Sequence, residues 1–213
     1  MGKAGVHSRI TDKAEIQAIM DTFASYGHTD VDTARVYAAG TSEEILRELG
    51  ATTKFNVSTK IIPMQPGDHR PEKLRETVQA SLKALGVSKV PILYLHAPDI
   101  ATPFEETMAG IQQLYEEDMF DEFGLSNFAT HQVVEIYMIA KQRGWVVPTV
   151  YEGMYNVLSR TAELDLFPAL DRFNIRFYAY SPLVGGLLDP SLSFTAKVPT
   201  GSQFDPETPV GQM

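Results

Sequence analysis

The sequence predicts an α/β protein whose strands and helices alternate around a parallel barrel. Two observations lead there. Short apolar runs that read as strands are separated by helical segments of roughly 10 to 15 residues, the pattern of right-handed βαβ units and a parallel sheet. Four polar residues, Asp32, Tyr37, Lys60 and His96, stand at or just past the ends of those runs. They occur in Asp-Thr-Ala-Arg-Val-Tyr (32–37), Asn-Val-Ser-Thr-Lys (56–60) and Ile-Leu-Tyr-Leu-His-Ala-Pro-Asp (92–99). In a parallel barrel the C-terminal strand ends converge on one face, where such barrels do chemistry. A doubly wound nucleotide-binding sheet would show Gly-x-Gly-x-x-Gly after its first strand, and a phosphate loop Gly-x4-Gly-Lys-Ser/Thr. Neither occurs in this chain.

The elements follow in order. Asp12 with Glu15 has the spacing of a capping box, and Ile16, Ile19, Met20 and Phe23 then recur at helical spacing until Gly27, so a helix is expected over 13–26. A strand near 29–33, a short helix over 42–49 closed by Gly50, and a strand over 56–59 come next. Pro71 opens a helix carrying Leu74, Val78, Leu82 and Leu85 and ended by Gly86. The strand 92–95 follows. Thr102 with Glu105 suggests a second capping box ahead of Met108, Ile111 and Leu114; 120–125 reads as a strand, and 131–143 as a helix stopped by Gly144. A strand over 147–151, a helix over 162–173 and a strand over 176–180 complete the alternation. Beyond Tyr180 the chain turns rich in proline, with Pro190, Pro199, Pro206 and Pro209, and is expected to be loop or partly disordered.

Composition narrows the function classes. The chain has 213 residues, 44% of them hydrophobic, which suffices for one domain with a sizeable core. A net charge of -9 with no clustered basic face argues against nucleic-acid binding. With no cysteine there is no thiolate chemistry and no cysteine zinc site, and the chain fits a reducing compartment. The opening Met-Gly-Lys-Ala-Gly-Val-His has no apolar signal core, and Val6 stands where a myristoylation signal needs Ser or Thr. No apolar stretch approaches the roughly 20 residues that span a bilayer. A cytoplasmic protein with no membrane partner is expected. His7, His28, His69 and His131 show no metal-ligand spacing, so no metal is expected. The acidic run Glu116-Glu117-Asp118 reads as a solvated helix end, although acid there opposes the macrodipole.

Five ordered motifs carry a family likeness: Gly-His-Thr-Asp-Val-Asp-Thr-Ala (27–34), Tyr-Leu-His-Ala-Pro-Asp (94–99), Gly-Leu-Ser-Asn (124–127), Tyr-Glu-Gly-Met-Tyr-Asn (151–156) and Phe-Tyr-Ala-Tyr-Ser-Pro-Leu (177–183). With them the chain resembles the aldo-keto reductases, in the branch that includes the aflatoxin-aldehyde reductases. The resemblance implies a (β/α)8 barrel of TIM type, NADPH as cofactor, and reduction of a small carbonyl compound. Tyr37 would then be the general acid, Lys60 the cation beside it, Asp32 the partner of Lys60, and His96 the residue that orients the carbonyl or relays the proton. A cation in contact with a tyrosine stabilises its phenolate, and positioned acid catalysis contributes roughly 10²- to 10⁴-fold. Ser126 and Asn127 match the pair that binds the nicotinamide carboxamide. Tyr180 matches the residue that stacks on the nicotinamide ring, and Ser181, Leu183 and Gly185 the loop near the pyrophosphate.

Two departures from the family pattern shape further expectations. The motifs account for about six of eight barrel strands, giving an incomplete barrel over 1–186 and a Pro-rich loop or tail over 187–213. The family's contacts to the 2′-phosphate of NADPH fall beyond the matched part, which weakens the expected cofactor site. Where the family has glutamine against the carboxamide this chain has Glu152, which accepts a hydrogen bond but cannot donate one. An open barrel leaves strand edges that invite pairing. A fragment, a homo-oligomer that closes the gap, and a compact variant covered by its tail are all compatible with that. Beside carbonyl reduction stand two alternatives: cofactor-independent acid-base chemistry such as isomerisation, cyclisation or epoxide opening, and a catalytically silent paralogue. Taken singly, Asp32 with Lys60 would also fit a structural ion pair and His96 a near-core histidine. Met64, Met154 and Tyr155, beside the motifs, suggest an apolar or aromatic carbonyl substrate, and equally fit packing residues.

Overall fold

The computed structural model describes residues 1–4, 8–188, 205 and 207. Helix α1 (Lys13–Ser25) starts where the Asp12 side chain accepts a bond from the Glu15 backbone N–H at 2.8 Å, satisfying one of the free donors of the first turn. It leads to strand β1 (Asp30–Asp32), a 3-10 turn (Tyr37–Gly40), helix α2 (Thr41–Glu48) and a short helix α3 (Ala51–Lys54). The alternation then runs β2 (Asn56–Ile61), α4 (Pro71–Leu85), β3 (Val90–Leu95), α5 (Phe104–Glu116), β4 (Phe120–Ser126), α6 (Thr130–Arg143), β5 (Pro148–Met154), α7 (Leu166–Phe173) and β6 (Arg176–Tyr180). A 3-10 turn at Val184–Gly186 follows, in a stretch the sequence suggested would be irregular. The expected prolines of the tail and His7 lie outside the described residues.

All neighbouring strands are parallel, in the order β1-β2-β3-β4-β5-β6. The sheet is a curled half-barrel, with β1 and β6 as its two edges among the described residues. Strand alternation explains its two faces. Val57, Ile61, Leu93, Leu95, Phe123, Leu125 and Tyr151 point outward, where Ile16, Leu74, Val78, Ile111 and Val133 of the helices close a large core over them. The alternate residues point into the curl. There Ile92, Tyr94 and Val150 make a small apolar cluster of their own. Gly124 lies opposite Tyr94 in the β3–β4 register, and a Cβ at that position would collide with the Tyr94 ring. The rest of the inner face is polar, as in Glu122, which accepts from Thr149 at 2.6 Å and from Arg176 at 2.9 Å.

The structure revises three local expectations. Helix α5 starts at Phe104 after Pro103, with no side-chain cap, because the Thr102 hydroxyl donates to Asp99 at 2.7 Å. The acidic run at the end of α5 is held by partners on other elements: Glu117 pairs with Arg75 at 2.5 Å and Asp118 with Lys89. Those cations offset the unfavourable placement against the helix dipole. The segment expected as one helix over 162–173 is split into a 3-10 turn at Thr161–Glu163 and α7.

Candidate active site

Asp32 ends β1, Lys60 lies near the end of β2 and His96 directly follows β3, so parallel pairing brings the three to one end of the sheet. Backbone bonds set the local frame: the Thr33 N–H donates to Ser58 O at 2.9 Å and the His96 N–H to Ile61 O at 2.8 Å. Tyr37 is delivered differently. The chain leaves β1 through Thr33 and Ala34, both buried, and then makes a turn in which Ala38, Ala39 and Gly40 all have positive φ, at 49°, 51° and 87°. Left-handed alanines are strained, on the order of 1–3 kcal/mol each, and persist only where surroundings over-determine them. Here the surroundings are an ion pair between Arg35 and the fully buried Glu43 at 2.5 Å, with Thr59 donating to the same carboxylate at 2.7 Å. Gly40 suits its φ of 87°, and a Cβ there would displace the Arg35 guanidinium. Glu43 and Arg35 went unnoticed in the sequence. The short helix α2 was visible, but no local signal points to a buried charge.

Lys60 is the centre of the site. Its ammonium is fully buried, contacts the half-exposed Asp32 carboxylate, lies 3.3 Å from the buried Glu152 carboxylate, and donates to Thr33 O at 3.3 Å. It also faces two rings, with centroids at 5.4 Å for Tyr37 and 5.7 Å for Tyr94. Burial pulls the Lys60 pKa down and Glu152 opposes that pull. In turn burial raises the Glu152 pKa, with Lys60 holding it back. Tyr37 packs edge-on against His96, centroids 5.6 Å apart, and is 40% exposed.

The pull of Lys60 on the Tyr37 proton is opposed in this site. Burial first, then the Glu152 carboxylate and Tyr180, push the Tyr37 hydroxyl up to about 12. Its hydroxyl makes no hydrogen bond among the described residues, and the nearby ammonium is shared by two carboxylates. His96 moves the other way: burial and the Lys60 charge push it down to about 4, so its imidazole is neutral at physiological pH. Its Nδ1 is buried without a partner among the described residues.

The second group of expected residues lies beside the first. Ser126 ends β4, buried, and Asn127 follows it in a left-handed conformation (φ 61°) that asparagine tolerates well. The Asn127 amide donates to His96 O at 2.9 Å and to Ser126 Oγ at 3.0 Å, and its carbonyl accepts from the Tyr180 hydroxyl at 2.8 Å. Ser126 and Asn127, Tyr180 and His96 are therefore one connected set. Ser126 also stands in register with Glu152, and Tyr180 with Met154. Past Tyr180 the backbone has positive φ at Ser181, Val184, Gly185 and Gly186, and Ser181 O accepts from Asn156 at 3.1 Å. Leu183 is largely exposed. Of the apolar candidates, Met154 lines a groove of about 310 Å³ with Asn127 and Tyr180, and Met64 a smaller one of about 210 Å³ with Pro98 and Ile100. Tyr155 belongs elsewhere: its hydroxyl meets Glu163 at 2.6 Å and its ring packs on Phe167 and Phe177.

The aldo/keto reductase family model matches residues 1–203. The chain belongs to the aldo/keto reductase family. It is 42% identical over 204 residues to human aldo-keto reductase family 7 member A3, covering 92% of this chain and 62% of that protein. It is 41% identical over 209 residues to human aflatoxin B1 aldehyde reductase member 2, covering 96% of this chain and 56% of that protein. The chain thus spans less than two thirds of the length of these curated relatives. A solved structure of a glycerol dehydrogenase from Gluconobacter oxydans superposes with a TM-score of 0.79 at 25% identity, covering 98% of this chain and 67% of that one. The aldo/keto reductase fold accounts for the half-barrel and its inward polar face. No helix of the described residues is long and apolar enough to cross a membrane, and no group of three or more potential ligands able to hold a metal occurs among them.

Proposed function

We propose that this aldo/keto reductase chain reduces aldehydes or ketones to alcohols at the Tyr37 site, using NADPH. The observation that carries the reading is the cluster of Tyr37, Lys60, Asp32 and His96 at one end of the sheet. There an acid that holds its proton stands against a neutral imidazole and a buried cation. Tyr37 donates its proton to the carbonyl oxygen as the alcohol forms. The neutral His96 aligns that oxygen, with the ring edge opposite its buried Nδ1 available for the hydrogen bond. Lys60 supplies the positive field in which a developing alkoxide is stabilised, and Asp32 holds Lys60 in place.

A nicotinamide fits the residues present. Ser126 and Asn127 put a hydroxyl and an amide side by side, Tyr180 adds a half-buried ring next to them, and the backbone after it turns sharply through positive φ at Ser181, Val184, Gly185 and Gly186. Ser126, Asn127, Glu152 and Tyr180 would hold the nicotinamide end, and Ser181, Leu183 and Gly185 the phosphates. When bound, the cofactor supplies the hydride. The exposed Met64 and Met154 favour an apolar carbonyl substrate over a small polar one.

A titration of the purified chain with NADPH, read by quenching of tyrosine and Trp145 emission and compared with NADH, tests the reading. Saturable binding with preference for NADPH supports it, and no binding by a folded sample refutes it. One observation favours a second reading, cofactor-independent acid-base chemistry at Tyr37 and His96. Asn127 and Tyr180, the residues that would take the carboxamide and the ring, are hydrogen-bonded to each other. Turnover of a substrate without any nicotinamide, abolished by Tyr37→Phe, would establish it.

A further inference from the structure

The contact between Lys60 and Glu152 is made across the curl of the sheet. Lys60 lies on β2 and Glu152 on β5, with β3 and β4 between them, yet their side chains meet at 3.3 Å because both point inward and the sheet bends round. Both are buried, whereas Asp32, the other carboxylate on Lys60, is half exposed. The groups that face this ammonium come from several elements: Asp32 from β1, Tyr37 from the turn after it, Tyr94 from β3, His96 after β3, and Glu152 from β5. Tyr180 of β6 faces Glu152 in turn. With both carboxylates ionised, one positive charge is met by two negative ones.

We propose that Glu152 is a positioning residue that shares the Lys60 charge with Asp32 from inside the barrel and so weakens the pull of that cation on the Tyr37 proton without removing its field from the site. The inference rests on the reading of Tyr37 as the acid. An amide at this position would leave Lys60 with Asp32 alone, and the ammonium field would then act on the phenol 5.4 Å away. Burial first and the Glu152 carboxylate second hold the Tyr37 hydroxyl above its ordinary value. Glu152 acts through Lys60; it need not touch the substrate.

The test is the ionisation of Tyr37 itself, read as near-ultraviolet tyrosinate absorbance of the chain minus that of Tyr37→Phe, for the parent and for Glu152→Gln. The expected result is a parent midpoint above the ordinary tyrosine value of about 10 and a fall of about one pH unit or more in Glu152→Gln. Equal midpoints in the two overturn the proposal. Should Glu152→Gln fail to fold by circular dichroism, the neutral Glu152→Met takes its place under the same two outcomes. Because this readout needs neither cofactor nor substrate, it is independent of whether the chain reduces carbonyls. Where turnover is measurable, the alkaline limb of kcat/KM shifts down by the same amount in Glu152→Gln.

Discussion

Replacing Lys60 by methionine should destabilise the chain severely, and more so at alkaline than at acid pH. The variant keeps the buried stem and removes the charge. Asp32, half exposed, falls back on water; Glu152, whose side chain is only 9% exposed, cannot. At 3.3 Å and an effective dielectric of about 20, the lost attraction is about 5 kcal/mol, and breaking a buried pair by removing one partner costs about 3–5 kcal/mol. The pH dependence follows from the direction of the Glu152 shift. Its folded pKa is already raised by burial, and losing Lys60 raises it further. A carboxyl with a raised folded pKa favours folding fully below its unfolded value, and that contribution disappears as pH rises through the folded one. Urea unfolding at pH about 5 and about 8 should therefore show the larger loss at the higher pH. Adding Glu152→Gln should recover on the order of 1 kcal/mol or more at the higher pH. A loss under about 1 kcal/mol, equal losses at both pH values, or strict additivity in the double variant would refute the reasoning.

His69 is buried and pushed down to about 4 by burial, so it folds neutral. Its contribution to stability is full above the ordinary histidine range and is lost as pH falls through it, on the order of 3 kcal/mol between pH about 7 and about 3. His69→Gln should flatten that acid slope in urea unfolding. Phe123→Ala empties a fully buried site between the sheet and its helices and should cost about 3–5 kcal/mol by the same measurement. Glu43→Ala strips Arg35 and the Thr59 hydroxyl of a shared acceptor; it should cost about 3–5 kcal/mol and, by loosening the Tyr37 turn, lower activity beyond what the folded fraction explains. Activity that tracks the folded fraction alone would show that the pair does not position Tyr37.

What the sequence makes legible is what is written locally. Pro71, Gly86 and Gly144 punctuate helices that the structure has within a residue of the expected ends. Lys60 and His96 stand out because a polar side chain interrupts an apolar run, and parallel pairing then brings them together. The remainder depends on contacts between distant segments. Thr102 and Glu105 have capping-box spacing, but the Asp99 carboxylate takes the Thr102 hydroxyl. Glu117 and Asp118 oppose their own helix dipole until Arg75 and Lys89 arrive from elsewhere. The left-handed turn that presents Tyr37 runs through Ala38 and Ala39, residues that carry no turn signal. Glu152 was visible as an odd residue in a motif, but its partner could not be read, because the pair forms only once the sheet has curled.

The central claim is that Tyr37 gives a proton to a carbonyl oxygen in this site. The most direct measurement is consumption of NADPH by the purified chain with a panel of aromatic and small polar aldehydes, run in parallel with Tyr37→Phe. The account predicts turnover of the apolar aldehydes and a loss of roughly 10²- to 10⁴-fold in Tyr37→Phe at unchanged folding. Turnover that survives in Tyr37→Phe at the parent rate would contradict it.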